Sequence, residues 1–161
     1  MEQVKTKDQT DLSVLSVLLI EDDPSMRDLL AELVTEIGIT DIHQMSNALD
    51  ALKFIDENPT WRGVILCDWN MPRMSGATFY KQIQNTHHDI PFIMVTGRND
   101  EGSVMMAKDN GIYAYLLKPV SLEELERKIK SLIKTYKVKT KQTDPENLKM
   151  IYWGCLKLNN N

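Results

Sequence analysis

The sequence has few cysteines, no long apolar run and no excess of positive charge, and each scarcity excludes a class of protein. Two cysteines in 161 residues provide neither a disulfide framework nor a paired Cys-X-X-Cys zinc motif. No apolar stretch approaches the roughly 18 residues that a membrane span needs, and the charged N-terminus lacks a signal-peptide pattern. The formal net charge of −4 argues against direct DNA binding. We therefore expect a reduced, cytoplasmic protein with one main core.

Short apolar runs alternate with helical patterns five times along the chain. The runs lie at 14–20, 42–45, 64–67, 92–95 and 113–117. Such alternation is typical of a parallel sheet with helices on both faces. The sequence therefore predicts an α/β fold.

Two of the intervening helices have clear boundaries in the sequence. Asp23-Pro24 is a good start for the first helix and Gly38 a good stop. Its apolar stripe comprises Met26, Leu29, Leu30, Leu33, Val34 and Ile37. The last helix opens with Ser121 and Glu124 in a capping box. Its stripe comprises Leu122, Leu125, Ile129, Leu132, Ile133 and Tyr136.

The three other predicted helices are less strongly patterned. We place the second at about 46–57 and the third at about 76–85. The fourth would lie between residues 99 and 110, where Gly102 and a run of polar residues give little intrinsic helix propensity.

Polar side chains follow four of the five apolar runs. They are Glu21, Asp22 and Asp23 after the first run, Asp68 after the third, Thr96 after the fourth and Lys118 after the fifth. Because ligands of open α/β sheets bind at the carboxyl ends of the strands, we expect these groups to share one edge. Crowded carboxylates repel one another unless a cation sits among them, and Mg²⁺ prefers such hard oxygen ligands.

Each of these residues also has an ordinary interpretation when taken alone. Asp68 could form a turn, and the acidic run could favour a helix N-terminus through the helix dipole. Thr96 could simply end a strand, and Lys118 could be a surface lysine. Their coincidence at strand ends of a single α/β pattern favours a shared site.

The segments around these residues resemble the signature of response-regulator receiver domains. They are 18–24 (Leu-Leu-Ile-Glu-Asp-Asp-Pro), 64–72 (Val-Ile-Leu-Cys-Asp-Trp-Asn-Met-Pro), 94–97 (Met-Val-Thr-Gly) and 113–119 (Tyr-Ala-Tyr-Leu-Leu-Lys-Pro). The resemblance runs over residues 14–136, and the Asp-Trp-Asn-Met-Pro stretch is similar to a chemotaxis regulator. It implies a flavodoxin-like, doubly wound (α/β)5 fold with a five-stranded parallel sheet in the order 2-1-3-4-5.

The resemblance also implies roles for individual residues. Asp68 would be the phosphoacceptor, acting together with Thr96 and Lys118. The Mg²⁺ ligands would be Glu21, Asp22, Asp68 and the main-chain carbonyl of Asn70. Thr96 and Tyr115 would form the switch, and the Lys118–Pro119 peptide bond would be cis. Arg98 stands at a position that varies in the family, and only because it follows Thr96 by two residues do we predict that it contacts or screens the phosphoryl oxygens.

A receiver of this kind accepts phosphate from a histidine kinase or a histidine phosphotransfer protein. Apart from this self-catalysed transfer and autodephosphorylation it is not an enzyme. Its downstream target would bind the face near Tyr115, with Val104, Met105 and Leu117 nearby. The output could be chemotaxis, a phosphorelay or control of another enzyme. Two alternatives are a hydrolase of the haloacid-dehalogenase type, which requires an aspartate where Asn70 stands, and a phosphorylation-independent scaffold.

The sequence predicts three segments. Residues 1–12 would be a flexible N-terminal segment, 13–136 the receiver domain and 137–161 a C-terminal extension. Within the extension, Asp144-Pro145-Glu146 is typical of a helix start. The apolar stripe that follows comprises Leu148, Ile151, Tyr152 and Cys155. We expect this short helix to dock on the same chain or on a second copy in a homodimer, with a separate partner as the alternative.

Overall fold

A computed structural model of the chain describes residues 11–87, 89–97, 102, 105, 108, 109, 112 and 114–136. The strands are β1 (Ser16–Ile20), β2 (Asp41–Met45), β3 (Val64–Asp68), β4 (Phe92–Gly97) and β5 (Tyr115–Lys118). The helices are α1 (Pro24–Glu36), α2 (Ala48–Glu57), α3 (Gly76–Thr86) and α4 (Leu122–Tyr136). A 3₁₀ turn at Leu12–Val14 precedes β1.

The five strands form one parallel sheet in the order β2-β1-β3-β4-β5, which confirms the predicted fold class. The order reverses between β2 and β3, because β1 pairs with β2 on one side and with β3 on the other. Ligands of such sheets bind at the carboxyl ends of the strands beside this reversal.

The sheet separates two apolar cores, one under each layer of helices. Successive residues of β1 point to opposite faces, so Leu19 packs with α1 and α4 while Leu18 packs with α2 and α3. All five residues of β1 and all five of β3 are buried. Burial on both faces explains why these strands read as continuous apolar runs.

Local side chains set the helix starts. Asp23 accepts a hydrogen bond from the Met26 N–H at 2.7 Å and caps α1, with Pro24 as the first helical residue. Ser121 accepts from the Glu124 N–H at 3.2 Å, as the predicted capping box requires. Gly38, which follows the C-cap residue Ile37 of α1, has a φ of +100°, a conformation that glycine adopts without strain.

The structure corrects several details of the predicted elements. Val14 lies in the 3₁₀ turn, so β1 begins two residues later than predicted, and β5 begins at Tyr115. Leu29 is 44% exposed and does not join the buried stripe of α1, because the helix presents a narrower face to the core. The described positions of the predicted fourth helix are helical; they are Gly102, Met105, Lys108 and Asp109.

Some predictions fall outside the described residues. They concern the N-terminal segment up to residue 10, the extension at 137–161, and the side chains of Arg98, Val104 and Tyr136. In the part of the chain that the structure describes, no helix has the length and apolar character needed to cross a bilayer.

Candidate functional site

The register of the sheet brings the predicted site residues to one edge. Asp68 is the last residue of β3 and pairs with Val95, so Thr96 lies one residue further along β4. Lys118 ends β5 opposite Gly97. Glu21 follows β1 directly, and its N–H donates to the Met45 carbonyl at 3.1 Å, continuing the pairing with β2.

Glu21 is 1% exposed, and its side chain is held at both carboxylate oxygens. Oε1 accepts a hydrogen bond from the Asp23 N–H at 3.1 Å, and Oε2 accepts from Lys118 Nζ at 2.9 Å. The carbonyl oxygen of Glu21 accepts from Arg27 Nη1 at 2.8 Å. Both the backbone and the side chain of Glu21 are therefore fixed.

Lys118 connects the two buried carboxylates of the site. Its ammonium lies 2.9 Å from Glu21 Oε2 and 3.1 Å from Asp68 Oδ1. A single cation thus partly neutralises two acids at the end of the sheet. The peptide bond to Pro119 that follows is cis, as the sequence resemblance implied.

The surroundings of Glu21, Asp68 and Lys118 shift the pKa values of all three side chains. Burial raises the pKa of Glu21 and of Asp68 above their ordinary values, although hydrogen bonding and charge from Lys118 oppose the rise. Burial lowers the pKa of Lys118, but its hydrogen bonds and charge interactions with Glu21 and Asp68 outweigh that effect and raise it overall. The two carboxylates are therefore costly to ionise unless further positive charge is supplied.

Three carboxylates are close enough to share a metal ion. One oxygen from each of Glu21, Asp22 and Asp68 lies within 4.8 Å of the other two. All three donors are hard oxygens, the ligand type that Mg²⁺ prefers, and a cation among them would favour the ionised forms of Glu21 and Asp68, whose pKa values burial raises. The donor set therefore fits Mg²⁺.

Asp23 does not belong to this group of three. It caps α1, so the ordinary interpretation of an acidic helix start is correct for Asp23. Asn70 lies exposed in the loop after β3, two residues past Asp68.

Thr96 is 1% exposed, and its hydroxyl oxygen has no hydrogen-bond partner among the described residues. Buried hydroxyls in proteins are nearly always paired, because an unpaired one loses its hydrogen bonds to water without replacement. Thr96 therefore has unused hydrogen-bonding capacity one residue beyond the register partner of Asp68.

Tyr115, at the start of β5, is partly buried, and two lysine side chains lie close to its ring. The ammonium of Lys128 lies 5.2 Å from the centre of its ring, and that of Lys108 lies 5.9 Å away. Both distances are within the range of cation–π attraction. Met105 and Leu117 are exposed, at 67% and 39%.

Two residues that shape the site were not predicted from the sequence. Arg27 contacts the acidic loop, and Gly76 packs on the end of β3. A Cβ at Gly76 would lie 2.4 Å from the Asp68 carbonyl oxygen, so only glycine allows α3 to approach so closely. A glycine at a helix start hints at such an approach, whereas nothing in the sequence distinguishes Arg27 from other surface arginines.

Similarity to known proteins extends over most of the described residues. Residues 17–130 match the family model of the response regulator receiver domain. The chemotaxis protein CheY1 of Helicobacter pylori strain J99 is 27% identical over 123 residues, which are 75% of this chain and 98% of that protein. The sensor kinase CckA of Brucella abortus is 29% identical over 133 residues, which are 82% of this chain and 14% of the kinase.

Solved structures show the same likeness. A response regulator receiver domain protein from Clostridium thermocellum superposes with a TM-score of 0.71 at 25% identity, covering 77% of this chain and 98% of that one. A putative response regulator from Chloroflexus aurantiacus superposes with a TM-score of 0.68, covering 74% and 98%. At 23% identity, this second likeness concerns the fold alone.

Proposed function

This chain belongs to the response regulator receiver domain family, and from this premise we propose that it is a phosphorylation switch in which Asp68 accepts the phosphoryl group. The donor would be a phosphohistidine of a histidine kinase or phosphotransfer protein. The observation that carries the proposal is the arrangement of three acids at the switch point of the sheet, with Lys118 3.1 Å from Asp68.

The proposed chemistry is an in-line phosphoryl transfer. An oxygen of the Asp68 carboxylate attacks phosphorus, the new O–P bond forms, and the N–P bond to the donor imidazole breaks with its electron pair on nitrogen. The imidazole then takes up a proton from solvent. Lys118 and Thr96 would donate to the phosphoryl oxygens and stabilise the charge that spreads over them. Later attack by water would release phosphate and restore the Asp68 carboxylate.

Side chains of Glu21, Asp22 and Asp68, with the Asn70 carbonyl, would hold the Mg²⁺ ion. When bound, the ion would supply positive charge that offsets the repulsion between the phosphoryl group and the carboxylates. Asp22 is the most exposed of the three acids and is free of the Lys118 contact that occupies Glu21 and Asp68. We therefore expect Asp22 to be a direct ligand and Glu21 to act through water.

The output would be a population shift between two arrangements of the β4 and β5 ends. New hydrogen bonds from the phosphoryl group to Thr96 and Lys118 would exist only in the active arrangement. Movement of the Thr96 hydroxyl towards the phosphoryl group would open space for the Tyr115 ring to turn inward. A downstream protein would then bind the surface near Tyr115, Met105 and Leu117. A chemotaxis-like output is supported by the likeness to CheY1.

The first experiment is mass spectrometry of the full chain after incubation with Mg²⁺ and a small phosphodonor. Wild-type protein should gain one phosphoryl group that hydroxylamine removes, as expected for an acyl phosphate, and Asp68→Asn should gain none. Asp56→Asn, which changes an exposed aspartate of α2, is the matched control and should behave as wild type. Stoichiometric phosphate on Asp68→Asn, or none on wild type, would contradict the proposal and favour the scaffold alternative.

The switch itself is tested by amide NMR of the same samples. Phosphorylation should shift resonances of Thr96 and Tyr115 as well as those around Asp68. Shifts confined to the loops that follow β1 and β3 would contradict a change at Tyr115.

A further inference from the structure

Arg27, the fourth residue of α1, contacts the acidic loop through the backbone. Its Nη1 donates to the Glu21 carbonyl oxygen at 2.8 Å, while its own N–H donates to the Asp23 carbonyl at 2.9 Å. The guanidinium thus donates to a main-chain carbonyl oxygen that belongs to one of the three clustered acids. This contact ties the body of α1 to the loop that follows β1.

The Glu21 carbonyl belongs to the peptide unit that joins Glu21 to Asp22. A peptide unit is planar, so fixing its oxygen fixes the orientation of the whole plane. The directions in which the two neighbouring carboxylates leave the chain depend on that plane. On its N-terminal side, Glu21 is already held by Met45, and its carboxylate is held by Asp23 and Lys118. Arg27 provides the corresponding anchor on the Asp22 side.

We propose that Arg27 is a positioning residue that orients the Glu21–Asp22 peptide unit, and with it the Asp22 carboxylate, for binding of a divalent cation. The inference rests on the proposed function, since it concerns the ion that the three acids would hold. A charge-assisted hydrogen bond from a guanidinium is stronger than one between neutral groups, which suits it to hold a loop.

Arg27 could act by orienting the peptide unit or by contributing positive charge. The two roles predict opposite changes in Mg²⁺ affinity when Arg27 is replaced. If its positive charge were what mattered, removing that charge would lessen the repulsion of an incoming cation and Mg²⁺ would bind more tightly. If orientation of the peptide unit matters, the same change lets the loop sample other conformations and Mg²⁺ binds more weakly. The direction of the change in affinity therefore separates the two roles.

The test is a Mg²⁺ titration of the full chain by calorimetry, repeated with the fluorescence of Trp69, which adjoins Asp68. Arg27→Met keeps an unbranched aliphatic stem and the helix propensity but removes the donor. It should weaken Mg²⁺ binding roughly tenfold, the lower range for loss of a group that orients a metal ligand. Lys53→Met removes one positive charge from an exposed site on α2 and should leave the affinity unchanged.

Circular dichroism establishes that each variant is folded during the titration. Arg27→Gln, which shortens the side chain and also removes the charge, is the second variant and should weaken binding in the same direction. Equal or tighter binding by the folded Arg27 variants would overturn the inference while leaving the proposed function intact. Absence of any Mg²⁺ response in wild type would instead remove the proposed function.

Discussion

Thr96 is buried, and its hydroxyl has no hydrogen-bond partner in the part of the chain that the structure describes. An unsatisfied buried polar group costs about 1 to 3 kcal/mol of stability, so the unphosphorylated protein retains this side chain at a cost. The cost is consistent with a hydroxyl that finds its partner only after phosphorylation, as we propose.

Thr96→Val should raise the free energy of unfolding of the unphosphorylated protein by about 1 kcal/mol, because the methyl group replaces an unpaired hydroxyl of similar size. Urea denaturation measures this change. The same variant should lose the phosphorylation-dependent NMR shift at Tyr115.

Thr35→Val is the matched control for the loss of a threonine hydroxyl. Thr35 lies in α1, and its Oγ1 donates to the Ala31 carbonyl at 2.9 Å, so valine there removes a hydrogen bond that is made. We expect no gain in stability from Thr35→Val. A loss of stability in Thr96→Val would show that the Thr96 hydroxyl has a partner after all.

At the scale of elements, α3 is positioned on the end of β3 by contact between backbones. The Gly76 N–H donates to the Trp69 carbonyl at 2.9 Å, and the Gly76 Cα lies against the Asp68 carbonyl. Any side chain at position 76 would have to push α3 away from the strand that carries Asp68.

Gly76→Ala should therefore lower the free energy of unfolding by about 1 to 3 kcal/mol, as expected for overpacking a buried position. It should also weaken Mg²⁺ binding, because the end of β3 shifts with the helix. Thermal denaturation and calorimetry measure the two effects. The control is Gly102→Ala, where no heavy atom of the described residues lies within 4 Å of the added Cβ, and it should not destabilise the protein.

The loop between β3 and α3 contains a strained residue. Arg73 has a φ of +67°, and the Met74 N–H donates to the Pro72 carbonyl at 2.8 Å across it, forming a tight three-residue turn. A side chain with a Cβ in this region of backbone conformation costs roughly 1 to 2 kcal/mol.

Arg73→Gly should be more stable than Arg73→Ala by about 1 kcal/mol, because glycine alone relieves the Cβ contact. At an unstrained position the order is reversed, since glycine has more conformational freedom to lose in folding. Chemical denaturation of the two variants provides the comparison. Greater stability of the alanine variant would show that the turn is not strained by Arg73.

At the scale of the whole molecule, we expect the buried acids to make stability depend on pH and on the Mg²⁺ that we propose they bind. Burial raises the folded-state pKa values of Glu21 and Asp68, so the folded protein favours their protonated forms. Below about pH 4, near the ordinary carboxyl pKa, both groups are protonated in either state and the cost of ionisation is absent. As the pH rises through the raised folded values, ionisation costs stability. The raised pKa of Lys118 adds no further change in this window, because the lysine stays charged.

Asp68→Asn should therefore be more stable than wild type near neutral pH, with the difference shrinking towards zero near pH 4. Addition of Mg²⁺ at ten times its dissociation constant should stabilise wild type by about 1.4 kcal/mol. It should therefore narrow the difference in free energy of unfolding between Asp68→Asn and wild type at neutral pH. Denaturation curves across pH, with and without Mg²⁺, measure both effects. A difference that is the same at every pH would contradict the buried-charge explanation.

Much of this molecule follows from local sequence. Strand positions followed from apolar runs that are buried on two faces, and the starts of α1 and α4 followed from Asp23 and Ser121, which cap their own helices. The edge of the sheet where the polar residues gather also followed, because parallel strands end on the same side. These features depend on contacts between residues near in sequence or on simple periodicity.

Only the tertiary structure decided how the site is assembled. Lys118 and Glu21 are 97 residues apart in sequence, and their contact depends on strand register and side-chain reach. The unpaired hydroxyl of Thr96, the separation of Asp23 from the three clustered acids, and the contact of Arg27 with a carbonyl likewise depend on where distant elements lie. Residue type indicates what a side chain can bind, whereas packing determines which of its partners are within reach.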